Sequence, residues 1–166
     1  MATAIIGTGN IGGTLARHLV RGGEPVVLAT KDEANAAALA QELGELARAA
    51  SVPEAIAEAD AVVFAVWLDT TKELIATDAR LLENKVVVDP SNPLGFDESG
   101  EMIRTLPEGQ SAGSAVDHLL PAGAHYVKAF ARSLRTPSRA RQIASHSGPC
   151  SSTPPTTMRL RRQSNG

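Results

Sequence analysis

The 166-residue chain predicts an α/β protein built on a doubly wound parallel sheet. Three observations carry this. A β-rich run spans Ala2–Ile6, and apolar runs without alternation follow at Pro25–Ala29 and Ala61–Val66, as strands buried on both faces require. Stretches of helical character separate them, so β-α-β units follow one another, and such units wind right-handedly. Gly7, Gly9 and Gly12 give the spacing G-x-G-x-x-G between the first strand and the first helix, which is the context a dinucleotide motif needs.

The first unit is strand Ala2–Ile6, a tight turn, and a helix over Asn10–Arg21 with Ile11, Leu15, Ala16, Leu19 and Val20 on its apolar side. Gly22-Gly23 ends that helix, where a C-terminal glycine cap belongs. Gly7 allows the turn, Gly9 lets the backbone approach a pyrophosphate, and Gly12 lets helix and strand pack closely. The amides at the helix N-terminus face the ligand's charge. A glycine-rich turn without a ligand can carry the same spacing; the strand before it and the helix after it favour a Rossmann-type dinucleotide site.

Strand two is Pro25–Ala29, followed by Thr30-Lys31-Asp32. An NAD-binding version of this fold places an acid near the end of strand two for the ribose 2′-hydroxyl. Ala29 or Thr30 occupies that slot. A hydroxyl and a cation suit a 2′-phosphate, so Thr30 and Lys31 favour NADP(H), although Lys31 also reads as a solvated loop lysine. Asp32 is placed to cap the next helix and turn away from the ligand.

An alanine-rich helix over Glu33–Leu43 ends at Gly44, and Leu46–Ala49 is a short third strand. Ser51 caps a short helix, Val52–Glu58, with Pro53 in its first turn. Strand four, Ala61–Val66, returns beside strand one, which brings Val66 and Trp67 to the path of an adenine or ribose. Trp67 also reads as a plug over the strand end. A helix over Thr70–Leu82 and strand five, Lys85–Val88, follow. The stiff loop Asp89-Pro90-Ser91-Asn92-Pro93-Leu94-Gly95 lies at a strand's carboxyl end, where ligands bind in this fold. Asn92 is placed to bond a carboxamide, or Asp89 and Asn92 satisfy the turn's own backbone. A helix over Ser111–Leu120, capped by Ser111 or Ser114, and a sixth strand, Ala124–Phe130, complete the series.

Composition narrows the class. Apolar residues make up 43% and aromatics 3%, so the core is Val, Leu, Ile and Ala. Cys150 stands alone, which excludes an internal disulfide and fits a reducing, cytoplasmic setting. No run of eighteen apolar residues exists to span a membrane, and no signal peptide is read. His18, His118, His125 and His146 are scattered, without metal-ligand spacing. Residues 1–130 carry 9 basic and 18 acidic side chains, whereas residues 131–166 carry 7 arginines and no acid.

Ile6-Gly7-Thr8-Gly9-Asn10-Ile11-Gly12, Val88-Asp89-Pro90-Ser91-Asn92-Pro93 and Val127-Lys128-Ala129-Phe130 resemble the NADP oxidoreductases dependent on the deazaflavin coenzyme F-420. More broadly they resemble the NADP-binding reductase fold shared with pyrroline-5-carboxylate reductases. The resemblance covers about residues 2–130. It implies hydride transfer between NADPH C4 and deazaflavin C5, with both coenzymes carrying the chemistry and the protein holding two rings face to face. No catalytic acid or base is implied. It places Thr8, Asn10 and Ile11 along the pyrophosphate, Thr30 and Lys31 at the 2′-phosphate, Val66 and Trp67 near the ribose, and Asn92 near the nicotinamide.

The chain departs from the family at Ala131-Arg132-Ser133-Leu134. Residues 131–166 are expected to be a disordered basic Ser/Pro/Arg-rich tail. A nucleic-acid arm finds no support, because no aromatics interleave the arginines. Back-translation of Pro154–Gly166 with G at most third positions, read one base earlier, yields an acidic start and an alanine-rich helix. The tail is therefore read as a frameshift product and the fold as C-terminally truncated, with cofactor binding retained and the second-substrate side impaired. Two other functions stay open: reduction of another small substrate, such as an imine, and non-enzymatic NADP binding. Small molecules are the expected partners, and oligomeric state is not legible.

Overall fold

The structure, a computed structural model, describes residues 1–130. The disorder and frameshift readings of residues 131–166, with Cys150 and His146, lie outside the described residues. Fourteen elements alternate through the described part, and six strands form one parallel sheet. These are β1 (Thr3–Ile6), β2 (Val26–Ala29), β3 (Ala47–Ala49), β4 (Ala61–Phe64), β5 (Val86–Asp89) and, after a separate hairpin, β8 (His125–Lys128). Their order is β3-β2-β1-β4-β5-β8. The chain reverses direction across the sheet between β1 and β4, so the crevice at their carboxyl ends is the switch point where ligands bind in such sheets.

Each strand sends alternate residues to opposite faces. Ile5, Val26, Leu28 and Val63 pack under α1 (Asn10–Arg21) and α2 (Glu33–Leu43) through Leu15, Ala16, Ala36, Leu39 and Ala40. Ala4, Ile6, Val27, Val62, Phe64 and Val87 face the other side. There α3 (Val52–Glu58), α4 (Leu68–Asp78) and α5 (Ala112–Asp117) cover them with Ile56, Leu68, Ile75 and Val116. Both faces being apolar explains why the strand runs show no alternation in sequence.

Local chemistry sets the helix ends. The Asp32 carboxylate accepts from the Ala34 amide at 3.2 Å and caps α2. Ser51 and Glu54 form a reciprocal capping box at α3, with Pro53 in its first turn. Lys85 Nζ donates to the Ala57 and Ala59 carbonyls at 3.2 and 2.6 Å, satisfying acceptors at the C-terminal end of α3. Ser111, rather than Ser114, caps α5.

Strands one, two, three and five shift by a single residue at their ends, and four other elements differ by more. Strand four stops at Phe64, and Ala65 and Val66 belong to the following turn. The helix expected at Thr70 starts at Leu68 and tightens into a 3-10 turn over Ala79–Leu82. The sixth strand is confined to His125–Lys128, and α5 to Ala112–Asp117. A hairpin that sequence reading missed, β6 (Leu94–Phe96) and β7 (Met102–Arg104), follows the Asp89–Pro93 loop. Its signal was present: Asp97-Glu98-Ser99-Gly100 is a turn sequence between two short apolar runs. One Asp97 oxygen accepts from the Ser99 and Glu101 amides, both at 2.9 Å, and from the Ser99 hydroxyl at 2.7 Å. These bonds, led by the hydroxyl, hold the Asp97 carboxyl below its ordinary range.

Candidate functional site

The turn after β1 is built by two opposed steric demands. Gly7 has φ +100°, a conformation natural to glycine. A Cβ there would lie 2.6 Å from the Ala65 carbonyl oxygen and 2.7 Å from Val66 Cγ1. The turn after β4 is therefore pressed against the glycine loop, with Ala65 and Val66 beside Gly7. At Gly12 a Cβ would stand 1.8 Å from the Gly7 oxygen, so α1 rests directly on the loop backbone. At Gly9 it would meet nothing within 4 Å. Gly7 and Gly12 are closed by the protein; Gly9 faces open space.

The Gly13 amide closes the first helical bond, to the Gly9 carbonyl at 2.8 Å. The amides of Asn10, Ile11 and Gly12 are the unpaired donors that begin a helix, and the cap residue Gly9 offers them no side chain. These donors, the helix dipole and the free space over Gly9 suit a pyrophosphate. The Gly7 amide donates to the Ala29 carbonyl at 2.7 Å, which extends the β1–β2 pairing into the turn and sets Thr30 beside it.

A cavity of about 390 Å³ opens there, lined by Thr8, Gly9, Thr30, Asn35, Arg17 and Glu42, among others. Lys31 is exposed and lies outside this lining. Asp32 is engaged with the Ala34 amide and accepts from Asn35 Nδ2 at 2.8 Å, so its carboxylate is occupied in the helix cap. Arg17, which sequence reading passed over, donates Nε and Nη2 to Glu42 at 2.8 and 2.7 Å. Those hydrogen bonds hold the Glu42 carboxyl below the usual carboxylate range.

Trp67 is the N-cap residue of α4 and is 57% exposed. Its ring meets Phe96 of the missed hairpin edge-on, with centroids 5.8 Å apart. Asn92 is exposed, its carbonyl accepts from the Leu94 amide at 2.7 Å, and its side chain bonds to no described residue.

The deepest polar group near this loop is Asp89, fully buried at the end of β5. Its carboxylate accepts from the Ser91 amide at 2.7 Å, the Tyr126 hydroxyl at 2.8 Å and Lys128 Nζ at 2.9 Å. Lys128 also donates to the Ser91 carbonyl. Burial, and then the bond to Asp89, push the Tyr126 phenol well above its ordinary pKa. Ser91 Oγ is buried and has no partner among the described residues. Parallel pairing of β5 with β8 assembles this group across 39 residues of sequence. Sequence reading saw both motifs but had no signal for their contact. Among the described residues no cluster of side chains fits a metal ion, and no helix is long and apolar enough to cross a membrane.

Comparison with known proteins agrees with this geometry. The chain is 30% identical over 140 residues to an F420-dependent NADP reductase of Methanothermobacter thermautotrophicus, covering 78% of this chain and 60% of the relative. It therefore spans about 60% of that relative's length. A solved hypothetical protein from Sinorhizobium meliloti superimposes with a TM-score of 0.67 at 28% identity, over 78% of this chain and 61% of that one. A candidate F420-dependent NADP reductase from Arthrobacter also gives 0.67, at 27% identity over 77% and 61%. The sequence profile of the family described as NADP oxidoreductase coenzyme F420-dependent matches residues 2–93. The glycine cradle, the parallel sheet and this match together make the chain a member of the coenzyme F420-dependent NADP oxidoreductase family.

Proposed function

We propose that this chain binds NADP(H) at the carboxyl edge of its sheet and serves hydride transfer between NADPH and a deazaflavin coenzyme. The observation that carries the reading is the cradle: Gly7 and Gly12 are closed by backbone, while Gly9 and the first amides of α1 are left open. In this reading the Asn10, Ile11 and Gly12 amides bind the pyrophosphate, with Thr8 alongside. Thr30 and Lys31 meet the 2′-phosphate, Val66 and Trp67 flank the ribose, and Asn92 meets the nicotinamide. The nicotinamide supplies the hydride and the deazaflavin accepts it, so the protein's task is to position rings and exclude water. No side chain is assigned a catalytic role. The single cysteine and the cofactor class favour a cytoplasmic location.

The test is a titration with NADPH and NADH that follows Trp67, the chain's single tryptophan, with calorimetry in parallel. Saturable binding of NADPH at much lower concentration than NADH supports the reading. Gly9→Ala is expected to fold normally, because its Cβ meets nothing, yet to bind NADPH at least tenfold more weakly. No saturable heat with either nucleotide overturns cofactor binding. NADPH binding without NADPH-dependent loss of deazaflavin absorbance overturns the second substrate alone.

A further inference from the structure

We propose that Arg17 is the residue that tells a 2′-phosphorylated adenosine from an unphosphorylated one. The proposal rests on the dinucleotide reading above and adds a specificity residue to it. Three observations carry it. First, helical side chains lean toward the N-terminus of their own helix, and Arg17 stands one turn after Gly13. A Cβ at Gly13 would lie 3.1 Å from Arg17 Nη1, so glycine there leaves room for the guanidinium to lie back toward the glycine loop. Second, that guanidinium lines the same cavity as Thr8 and Thr30. Third, Glu42 takes Nε and Nη2 in a two-pronged contact, which fixes the plane of the fork. The Nη1 edge bonds to no described residue.

A planar guanidinium with one edge anchored and one edge free is suited to a phosphate dianion. The hydroxyl of Thr30 and the amide of Asn35 line the same cavity and add neutral donors. Lys31 carries charge of the right sign but sits outside the lining, whereas Arg17, 40% exposed, lies within it with its orientation set by Glu42. Glu42 balances Arg17 when the cavity holds no anion, and a 2′-hydroxyl gives Arg17 no charge to meet.

Calorimetry on the full chain tests this with four probes: NADPH, NADH, adenosine 2′,5′-bisphosphate and adenosine 5′-monophosphate. Arg17→Gln is expected to weaken NADPH and the bisphosphate by about tenfold or more, leaving NADH and the monophosphate within about twofold. Lys31→Gln is expected to weaken the phosphorylated pair by only about two- to threefold. Arg17→Lys keeps the charge and the helix and should retain more of the preference than Arg17→Gln. An unchanged NADPH-to-NADH ratio in Arg17→Gln overturns the proposal. So does an equal loss for all four probes, which would mark a purely structural role, or a larger effect at Lys31. A wild-type chain that binds both dinucleotides equally overturns Arg17's role while sparing dinucleotide binding. A chain that binds none of the four overturns the dinucleotide reading itself.

Discussion

Two neighbouring strands make a controlled comparison. β4 reads Ala-Val-Val-Phe and β5 reads Val-Val-Val-Asp, and both are parallel and central in the sheet order. All four residues of β4 are buried. In β5 only Val87 and Asp89 are, and Val86 and Val88 are partly buried. The difference lies in the helices. α1 and α2 cover β1, β2 and β4 on one face, and α3 to α5 cover the other. At the β5–β8 side only the second layer is complete among the described residues, and Val127 of β8 is 41% exposed. The half of the sheet that carries the glycine loop is thus closed on both faces. The half that carries the Asp89 loop is closed on one, and there a buried carboxylate bonds across from β5 to β8.

The largest effect is expected where the closed half is tightest. Gly12→Ala forces a Cβ to within 1.8 Å of backbone that cannot rotate away. A loss of about 3 kcal/mol or more should appear in urea denaturation. A near-neutral result would show that α1 can lift from the loop and that the cradle is looser than its geometry.

At the open half, Asp89→Asn removes the charge partner of Lys128 and weakens the acceptor for Tyr126. Breaking a buried pair is costly, though Lys128 keeps partial contact with solvent. About 2–3 kcal/mol of destabilisation is expected by the same measurement. A loss below 1 kcal/mol would mean that the network orders the loop without stabilising the sheet.

Val63 and Val127 share one face of the sheet, so the two halves can be compared directly with one type of substitution. Val63→Ala, in the closed half, should cost about 2 kcal/mol. Val127→Ala, on the uncovered face, should cost less than about 0.5 kcal/mol. Equal costs would show that the β5–β8 face is covered in solution.

The smallest effect is a titration. Tyr126 is the chain's single tyrosine, so its ionisation can be read by absorbance at alkaline pH. Burial and the bond to Asp89 raise its pKa in the native state, whereas an unfolded tyrosine loses its proton near pH 10. The native chain keeps the proton longer. The resulting stabilisation is present in full below about pH 10 and fades as pH rises through the native value. Absorbance should show a midpoint above 10, and Asp89→Asn should lower it. An unshifted midpoint in the wild type would place Tyr126 outside the network.

Local chemistry made much of the molecule legible in sequence. Strand cores, helix caps at Asp32 and Ser51, and the glycine spacing depend on residues close along the chain, and each signal has its own mechanism. The lone acid-free slot at Ala29-Thr30 was legible for the same reason. Tertiary structure alone decided three things. It set which strand faces are covered, because identical valines are buried or bare according to helices far away in sequence. It joined Asp89 to Lys128 and Tyr126, because a parallel crossover separates them by nearly forty residues. And it chose Arg17 over Lys31 as a lining residue of the cavity, because a side chain's reach is set by its helix and by the glycine it lies over rather than by its distance along the chain from the loop.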